Sequence, residues 1–133
     1  MRLMLIPIAV AALAGCETAP DAPTRTASDQ QAYDRALAGK TAGAPQKCLS
    51  TLRSNDMTVI DEHTILFRDG RTTYVNNTLG ECNQLGRSGY AMVTRNVGPQ
   101  LCRGDIVNVT DTMSGMTVGS CAIGDFIPYR PAN

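Results

Sequence analysis

The sequence predicts a small all-β domain, a barrel or sandwich of about five to seven short strands stapled by disulfides. From Cys48 onward, apolar residues come in short β-branched or aromatic runs separated by turn signals, which is typical of strands. Such a short stretch buries only a modest core, and small domains are commonly reinforced by covalent links. Four cysteines, Cys48, Cys82, Cys102 and Cys121, are available for this purpose.

The first predicted strands form a hairpin-rich segment. Met57–Ile60 and Thr64–Arg68 are joined by a turn at Asp61-Glu62-His63. Asp69-Gly70 then separates Thr64–Arg68 from Arg71–Val75, which predicts a two-residue hairpin with a type I′ turn. In this hairpin Ile65 and Phe67 would share one face, with Leu66 on the other.

The later strands are predicted at Tyr90–Arg95, Asp105–Thr110, Met116–Val118 and Ala122–Tyr129. Alternation within Asp105–Thr110 places Val107 and Val109 on one side and Ile106, Asn108 and Thr110 on the other. Ser114-Gly115 supplies the turn before Met116–Val118.

The region before Cys48 has a different composition. Residues 17–46 consist largely of Ala, Thr, Pro, Asp and Gly, too few large apolar residues to offset the entropy of ordering. Ser28-Asp29-Gln30-Gln31 has the form of a capping box, and Gly39 stands where a helix would end, which predicts a short helix over residues 29–38. We therefore divide the chain into residues 1–15, a tether over 16–47 and a compact β domain over 48–133.

The amino-terminal residues carry an export signal. Met1-Arg2 is basic, residues 3–12 are apolar but too few to span a bilayer, and Leu13-Ala14-Gly15-Cys16 follows. This arrangement resembles the lipobox of bacterial lipoproteins. The resemblance implies that residues 1–15 are removed and that Cys16 carries a diacylglycerol and an amide-linked acyl chain. Two or more acyl chains hold a protein durably on a membrane.

The cysteine count favours lipidation over an ordinary secretory signal cut after Ala14. The chain has five cysteines, and an odd cysteine in an exported protein needs an explanation. If Cys16 carries lipid, the remaining four form an even set for two disulfides. Four cysteines allow three connectivities; the pairing we favour is Cys82–Cys102 nested inside Cys48–Cys121.

The residue after Cys16 bears on the membrane that holds the anchor. In enteric bacteria an Asp at this place typically retains a lipoprotein in the inner membrane, and here the residue is Glu17. The resemblance therefore favours an outer-membrane anchor with the domain facing the periplasm.

Several segments of the β domain resemble a known family. They are Thr64-Ile65-Leu66-Phe67, Tyr74-Val75-Asn76, Leu101-Cys102-Arg103-Gly104-Asp105-Ile106 and Ser120-Cys121-Ala122-Ile123-Gly124-Asp125-Phe126-Ile127-Pro128. In this order they resemble a family of small exported proteobacterial proteins without an assigned function. The resemblance covers about Cys48 to Pro128 and implies a shared fold without an activity.

Charge and composition exclude some classes of partner. The chain has 12 Lys and Arg residues against 12 Asp and Glu residues, so nothing attracts a phosphate backbone and no nucleic-acid partner is expected. Trp is absent, and no glycine loop is suited to a nucleotide. We expect no cofactor.

The candidates for chemistry are few. His63 beside Asp61 and Glu62 could act as a base with an orienting carboxylate, although a polar turn is the commoner role. Met113 and Met116, with Met92 and His63, could bind copper, although core and loop roles are commoner for methionine. Arg103-Gly104-Asp105 is interpreted as a turn entering a strand.

The sequence therefore predicts a lipid-anchored envelope protein that acts as a non-enzymatic binding or structural module. Its expected partners are the membrane, through the lipid on Cys16, and an envelope protein or cell-wall component. The alternative is an enzymatic or metal-handling domain whose site is assembled from dispersed residues.

Overall fold

A computed structural model describes residues 24–54, 56–95 and 98–133. The elements are one helix, α1 Ala27–Leu37, and ten strands: β1 Lys40–Ala42, β2 Cys48–Ser50, β3 Met57–Asp61, β4 Thr64–Asp69, β5 Thr72–Asn77, β6 Tyr90–Thr94, β7 Gln100–Cys102, β8 Ile106–Asp111, β9 Thr117–Ala122 and β10 Phe126–Pro131. The protein is mostly β, as predicted. The predicted signal (residues 1–15) and Cys16 lie outside the described residues.

The strand count exceeds the predicted five to seven. The additional strands, β1, β2 and β7, contain three residues each. A segment this short shows no recognisable alternation of apolar and polar residues, so its strand character depends on the partner strand beside it.

The strands form three antiparallel sheets. The largest has the order β1-β10-β5-β4-β3, the second has the order β6-β8-β9, and the third contains β2 and β7. Two isolated bridges attach residues from outside the strands to the sheets: Gln46 pairs with Phe126 of β10, and Leu79 pairs with Ala122 of β9. Over the described residues none of the sheets closes into a barrel.

The β4–β5 hairpin has a different turn from the predicted one. Asp69 pairs with Thr72, so the two turn residues are Gly70 and Arg71. Only Gly70 has a positive φ, at 57°, which is the pattern of a type II′ turn; the predicted type I′ turn needs positive φ at both turn residues. The turn therefore lies one residue later than the Asp69-Gly70 signal indicates.

The main core lies between the five-stranded sheet and the other two. It is formed by Leu49, Ile65, Phe67, Tyr74, Cys82, Leu85, Leu101, Val107, Val109, Cys121, Ile123 and Phe126. The rings of Phe67 and Phe126 meet at a centroid distance of 5.7 Å. The predicted faces are confirmed: Ile65 and Phe67 face this core and Leu66 faces the opposite side.

Helix α1 covers part of the outer face of the five-stranded sheet. Its Ala32, Tyr33, Ala36 and Leu37 pack around Ile60, Leu66 and Val75. The helix begins two residues earlier than predicted, because the Thr26 hydroxyl, and not that of Ser28, accepts the hydrogen bond from the Asp29 amide. At the other end, Gly39 has a φ of 70° and occupies the predicted terminating position.

The sheet also includes part of the segment that the composition predicts to be a tether. Lys40–Ala42 pairs with Tyr129–Pro131 of β10, and Gln46 forms a bridge with Phe126. The side chains of β1 are exposed or half-buried, so the main-chain hydrogen bonds to β10 hold this strand. An argument from apolar content could not detect it, since main-chain pairing is independent of side-chain type.

The two disulfides are Cys48–Cys102 and Cys82–Cys121. The favoured pairing of Cys82 with Cys102 and Cys48 with Cys121 is therefore wrong. Cys48 and Cys102 are directly opposite each other in the β2–β7 ladder, with their Cα atoms 4.0 Å apart. Because neither strand was predicted, the sequence could not indicate this contact. Two disulfides are typical of proteins in an oxidising compartment.

A buried asparagine fixes the junction between β9 and β10. The Asn76 side chain is fully buried; its Nδ2 donates to the Gly124 and Asp125 carbonyls, and its Oδ1 accepts from the Gly124 amide at 3.1 Å. A Cβ atom at Gly124 would overlap the carbonyl oxygen of Asn77. Glycine at position 124 thus allows the two backbones to approach, and Asn76 satisfies the polar groups of the bend.

We predict that Asn76→Ala lowers the free energy of unfolding by about 2–4 kcal/mol, because buried main-chain groups at Gly124 and Asp125 lose their partners. Denaturant unfolding measures this loss. Asn83→Ala is the matched control, since Asn83 is exposed and its replacement should change stability by about 0.5 kcal/mol or less. Equal losses in the two variants would contradict the prediction.

We predict that the disulfides contribute unequally to stability. They span 54 and 39 residues, so chain entropy assigns each about 4 kcal/mol. Replacing Cys82 and Cys121 with Ala should cost more than replacing Cys48 and Cys102, because only the first pair is buried in the core and leaves a cavity. The melting temperatures of the two double variants show which disulfide contributes more.

We also predict that reduction of both bonds unfolds the domain. A reduced protein with an unchanged melting temperature would contradict this expectation.

Candidate functional site

A cleft of about 540 Å³ lies between the start of α1, the β3–β4 turn and the loop after β5. We call it the turn cleft. Its ionisable lining residues are Arg25, Asp29, Asp61, Glu62, His63, Glu81 and Arg87. Residues of both charge signs therefore surround one opening, and the contacts of each decide what the cleft can do.

Asp61 anchors the start of α1 and the β3–β4 turn at the same time. Its Oδ2 accepts from Nε of Arg25 at 2.9 Å, and its Oδ1 accepts from the main-chain amide of His63 at 2.7 Å. Arg25 in turn donates from Nη2 to the Thr64 hydroxyl at 2.8 Å. The Arg25 and Asp61 side chains are both largely buried, so this ion pair is sheltered from solvent screening.

Arg25 also holds the helix against the sheet. Its guanidinium lies over the ring of Tyr33, 4.2 Å from the centroid, in a cation–π contact. Burial raises the pKa of Tyr33 to about 12, and a hydrogen bond with Tyr129 of β10 acts in the same direction. Tyr33 therefore stays a neutral phenol that joins α1 to the outer face of the sheet.

Glu62 fastens the loop after β5 to the β3–β4 turn. Its Oε1 accepts from the Gln84 amide at 2.8 Å, and its main-chain carbonyl accepts from the Cys82 amide at 2.8 Å. Gln84 has a φ of 69°, a left-handed conformation that this carboxylate helps to hold. The Gln84 amide is the main reason that the pKa of Glu62 lies below its ordinary value, and Arg87 lowers it further.

The predicted grouping of Asp61, Glu62 and His63 is present, since all three line the turn cleft. Their contacts differ from those of a base with an orienting carboxylate. Asp61 binds the main-chain amide of His63, and the His63 carbonyl accepts from the Thr78 amide. These bonds position the backbone of the turn. The arrangement is that of a polar turn with its imidazole at a cleft.

The structure places the methionine candidates in different surroundings. Met113 and Met116 are highly exposed in and beside the turn between β8 and β9. Met92 of β6 packs against the main core, and His63 lines the turn cleft. Among the described residues, no group of three or more His, Cys, Asp or Glu side chains is arranged to hold a metal ion.

Arg103-Gly104-Asp105 forms a turn before β8. Gly104 has a φ of 92°, and the Asp105 carboxylate accepts from the Cys102 amide at 2.7 Å. Arg103 forms an ion pair with Asp125. The Arg103 and Asp105 side chains, with the positive φ of Gly104, thus stabilise a turn next to the Cys48–Cys102 disulfide.

Sequence reasoning missed three contributors to the turn cleft. Arg25 lies in the segment predicted as a tether, and Glu81 and Arg87 lie in an irregular loop. One signal could have pointed to Arg25. It precedes a helix N-terminus, where a positive charge is unfavourable, so an ion pair with another part of the chain could be expected. For Glu81 and Arg87 the sequence held no signal, because the loop is placed by tertiary contacts.

The fold and the cleft define a small, mostly β protein with two disulfides, one docked helix and a charged cleft. Over the residues that the structure covers, no helix is long and apolar enough to cross a membrane. The chain belongs to a family of unknown function (DUF6491), whose model matches residues 1–130. This confirms the expected membership of a family without assigned function and extends it to the amino-terminal region. No curated protein and no solved structure matches the chain.

We predict that Glu62→Gln lowers the free energy of unfolding by about 1 kcal/mol at neutral pH, because a neutral acceptor replaces a charged one. The folded-state pKa of Glu62 is lowered, so its contribution is present above the ordinary glutamate pKa and is lost as pH falls through the folded-state value. Unfolding of wild type and variant should therefore converge in acid.

Asp56→Asn is the control for this comparison. It removes a carboxylate from an exposed ion pair with Arg68 and should have little effect at any pH. A difference between wild type and Glu62→Gln that stays constant from neutral pH into acid would contradict the predicted linkage.

Proposed function

We propose that the protein is a lipid-anchored module of the bacterial cell envelope that binds a partner in the turn cleft without catalysing a reaction. Cys16 carries the lipid after removal of residues 1–15. The domain faces the periplasm, and the outer membrane is favoured over the inner one. The partner is an envelope protein or a cell-wall component.

Two features support export and anchoring. Both disulfides fit the oxidising conditions outside the cytoplasm. Leu13-Ala14-Gly15-Cys16 follows a basic start and a short apolar run, and lipidation of Cys16 leaves an even number of cysteines for the two bonds.

The contacts of Glu62 support a binding role for the cleft more strongly than a catalytic one. A carboxyl group that acts as a general acid needs a raised pKa, whereas the pKa of Glu62 is lowered by the Gln84 amide. Glu62 and Asp61 both hold main-chain amides in place, so they build a fixed cleft. A volume of about 540 Å³ lies in the range of ligand-binding cavities.

The position of the cleft indicates where its partner would be met. Thr24 and Arg25 line the cleft, and Thr24 is eight residues after Cys16 in the sequence. Eight residues reach at most about 28 Å when fully extended. A lipid on Cys16 would therefore keep the cleft close to the membrane surface. A partner that binds the cleft there would present polar groups of both charge signs, to match the lining residues.

The proposal is tested by placing a photo-activated cross-linking residue at Arg87, on the rim of the turn cleft, in cells that process lipoproteins. Arg71, in the β4–β5 turn and outside the cleft lining, is the control position. We expect a discrete cross-linked product at position 87 that is absent at position 71. Mass spectrometry of the product identifies the partner.

Cys16→Ser is tested in the same cells. Loss of the lipid should move the protein from the membrane fraction to the soluble fraction and should remove the acyl mass from intact protein. A variant that remains in the membrane fraction with an unchanged mass would contradict lipid anchoring.

For the cross-linking experiment, equal yields of product at positions 71 and 87 would contradict binding in the cleft.

A further inference from the structure

A second cavity lies on the other side of α1, between the helix and the outer face of the five-stranded sheet. It has a volume of about 340 Å³, and we call it the basic groove. Its polar lining residues are Arg35, Lys40, Arg68, Thr58 and Thr73. No carboxylate lines it within the described part of the chain, and Ile60 is the one residue that it shares with the lining of the turn cleft.

The cations of the groove come from separate elements. Arg35 extends from the last turn of α1, where a cation also stabilises the helix, but Lys40 comes from β1 and Arg68 from β4. Helix stability therefore explains only one of the three. The pairing of β1 with β10 and the docking of α1 bring these positive charges to one opening.

The groove has a preorganised hydrogen-bonding group. Nζ of Lys40 donates to the hydroxyl of Thr73 at 2.6 Å, and Thr73 is only 4% exposed. This bond fixes the ammonium at the wall of the groove and leaves its other two N–H donors for a ligand. Arg35 donates from Nε to the Gln31 carbonyl of its own helix, at 3.4 Å, and within the described residues its terminal nitrogens have no hydrogen-bond partner.

Arg68 contributes less charge than the other two. Its Nε contacts Oδ2 of Asp56 at 2.9 Å in an exposed ion pair at the edge of the groove. Asp56 itself does not line the cavity. The groove is therefore positive through Arg35 and Lys40, with Arg68 partly neutralised.

The floor of the groove is apolar. Ile60 and Leu66 of the sheet are nearly buried beneath it, and the small side chains of Ala32 and Ala36 leave space along the helix. A bare anion would contact only the cationic wall. A ligand that fits the whole groove combines an anionic group with a short organic part whose carbon atoms contact Ile60 and Leu66.

We propose that the basic groove binds a phosphate ester, with the phosphate between Arg35 and Lys40 and its organic substituent over Ile60 and Leu66. An arginine fork and an ammonium are suited to the multiple oxygens of a phosphate group. The same chemistry is offered by the headgroup of an anionic phospholipid and by a free phosphate ester. The proposal depends on the groove alone and holds whether or not Cys16 carries a lipid.

The test uses the chain from residue 16 onward with Cys16→Ser, so that neither an acyl chain on Cys16 nor the apolar residues 3–12 contribute to binding. Glycerol 3-phosphate is titrated while the backbone amide signals are followed by NMR at constant ionic strength. We expect saturable shifts at Lys40 and Thr73 that Arg35→Gln and Lys40→Gln together weaken by about tenfold or more. Arg71→Gln is the matched control, because it removes the same charge from a turn outside the groove.

Two further variants keep the result interpretable if Lys40→Gln alters the fold. Lys40→Arg retains the charge and should preserve binding. Arg35→Gln alone removes a contact within its own helix and a cation from the last turn of α1, so it should weaken binding with only a small fall in the melting temperature. Equal affinity for glycerol and glycerol 3-phosphate, or equal weakening by Arg71→Gln, would overturn the proposal. Absence of saturable shifts would overturn it as well.

Vesicles distinguish the two sources of phosphate. If the groove binds a lipid headgroup, the Cys16→Ser protein should sediment with phosphatidylglycerol vesicles and not with phosphatidylcholine vesicles. Arg35→Gln should then reduce the fraction of protein that sediments with phosphatidylglycerol. Binding of glycerol 3-phosphate without sedimentation would assign the site to a free phosphate ester.

Discussion

The contact between Asn76 and the Gly124 backbone holds the chain where it passes from the three-stranded to the five-stranded sheet. Gly124 lies between β9 and β10, and its neighbours Ile123 and Phe126 are both fully buried in the main core. Burying a bend of this kind leaves main-chain groups that only another protein group can satisfy. One asparagine side chain, which can donate and accept at once, does so, and the absence of a Cβ at Gly124 makes the approach sterically feasible.

The loop after β5 is likewise held by a side chain that binds a main-chain amide, and also by a disulfide. Cys82–Cys121 links this loop to β9, while Glu62 accepts from the Gln84 amide on its other side. The loop therefore has a fixed position although it lacks a regular strand. Because the loop forms one wall of the turn cleft, the cleft depends on a disulfide and on an ionised carboxylate rather than on sheet pairing.

Helix α1 shapes both cavities on the outer side of the five-stranded sheet. The main core is complete beneath the five-stranded sheet, and the helix covers only part of the outer face of that sheet. Arg25 and Tyr33 fix the helix through an ion pair with Asp61 and a cation–π contact. The turn cleft opens beside the start of this 11-residue helix, and the basic groove opens beside its second half. Both binding proposals therefore depend on how this one helix docks.

The amino-acid sequence was enough to predict the β class, most of the longer strands and the inward side of two of them, β4 and β8. It did so because alternation along a strand is local, as Val107 and Val109 facing the core illustrate. It also placed Asp61, Glu62 and His63 in one turn. Tertiary contacts were needed to establish the disulfide pairing, the strands β1, β2 and β7, and the positions of Arg25, Arg87 and Lys40. Each of these depends on groups far apart in the chain, such as Cys48 facing Cys102 across a ladder of three residue pairs. Main-chain pairing and ion pairing across such separations leave no periodic trace in the amino-acid sequence, so they could not be predicted from it.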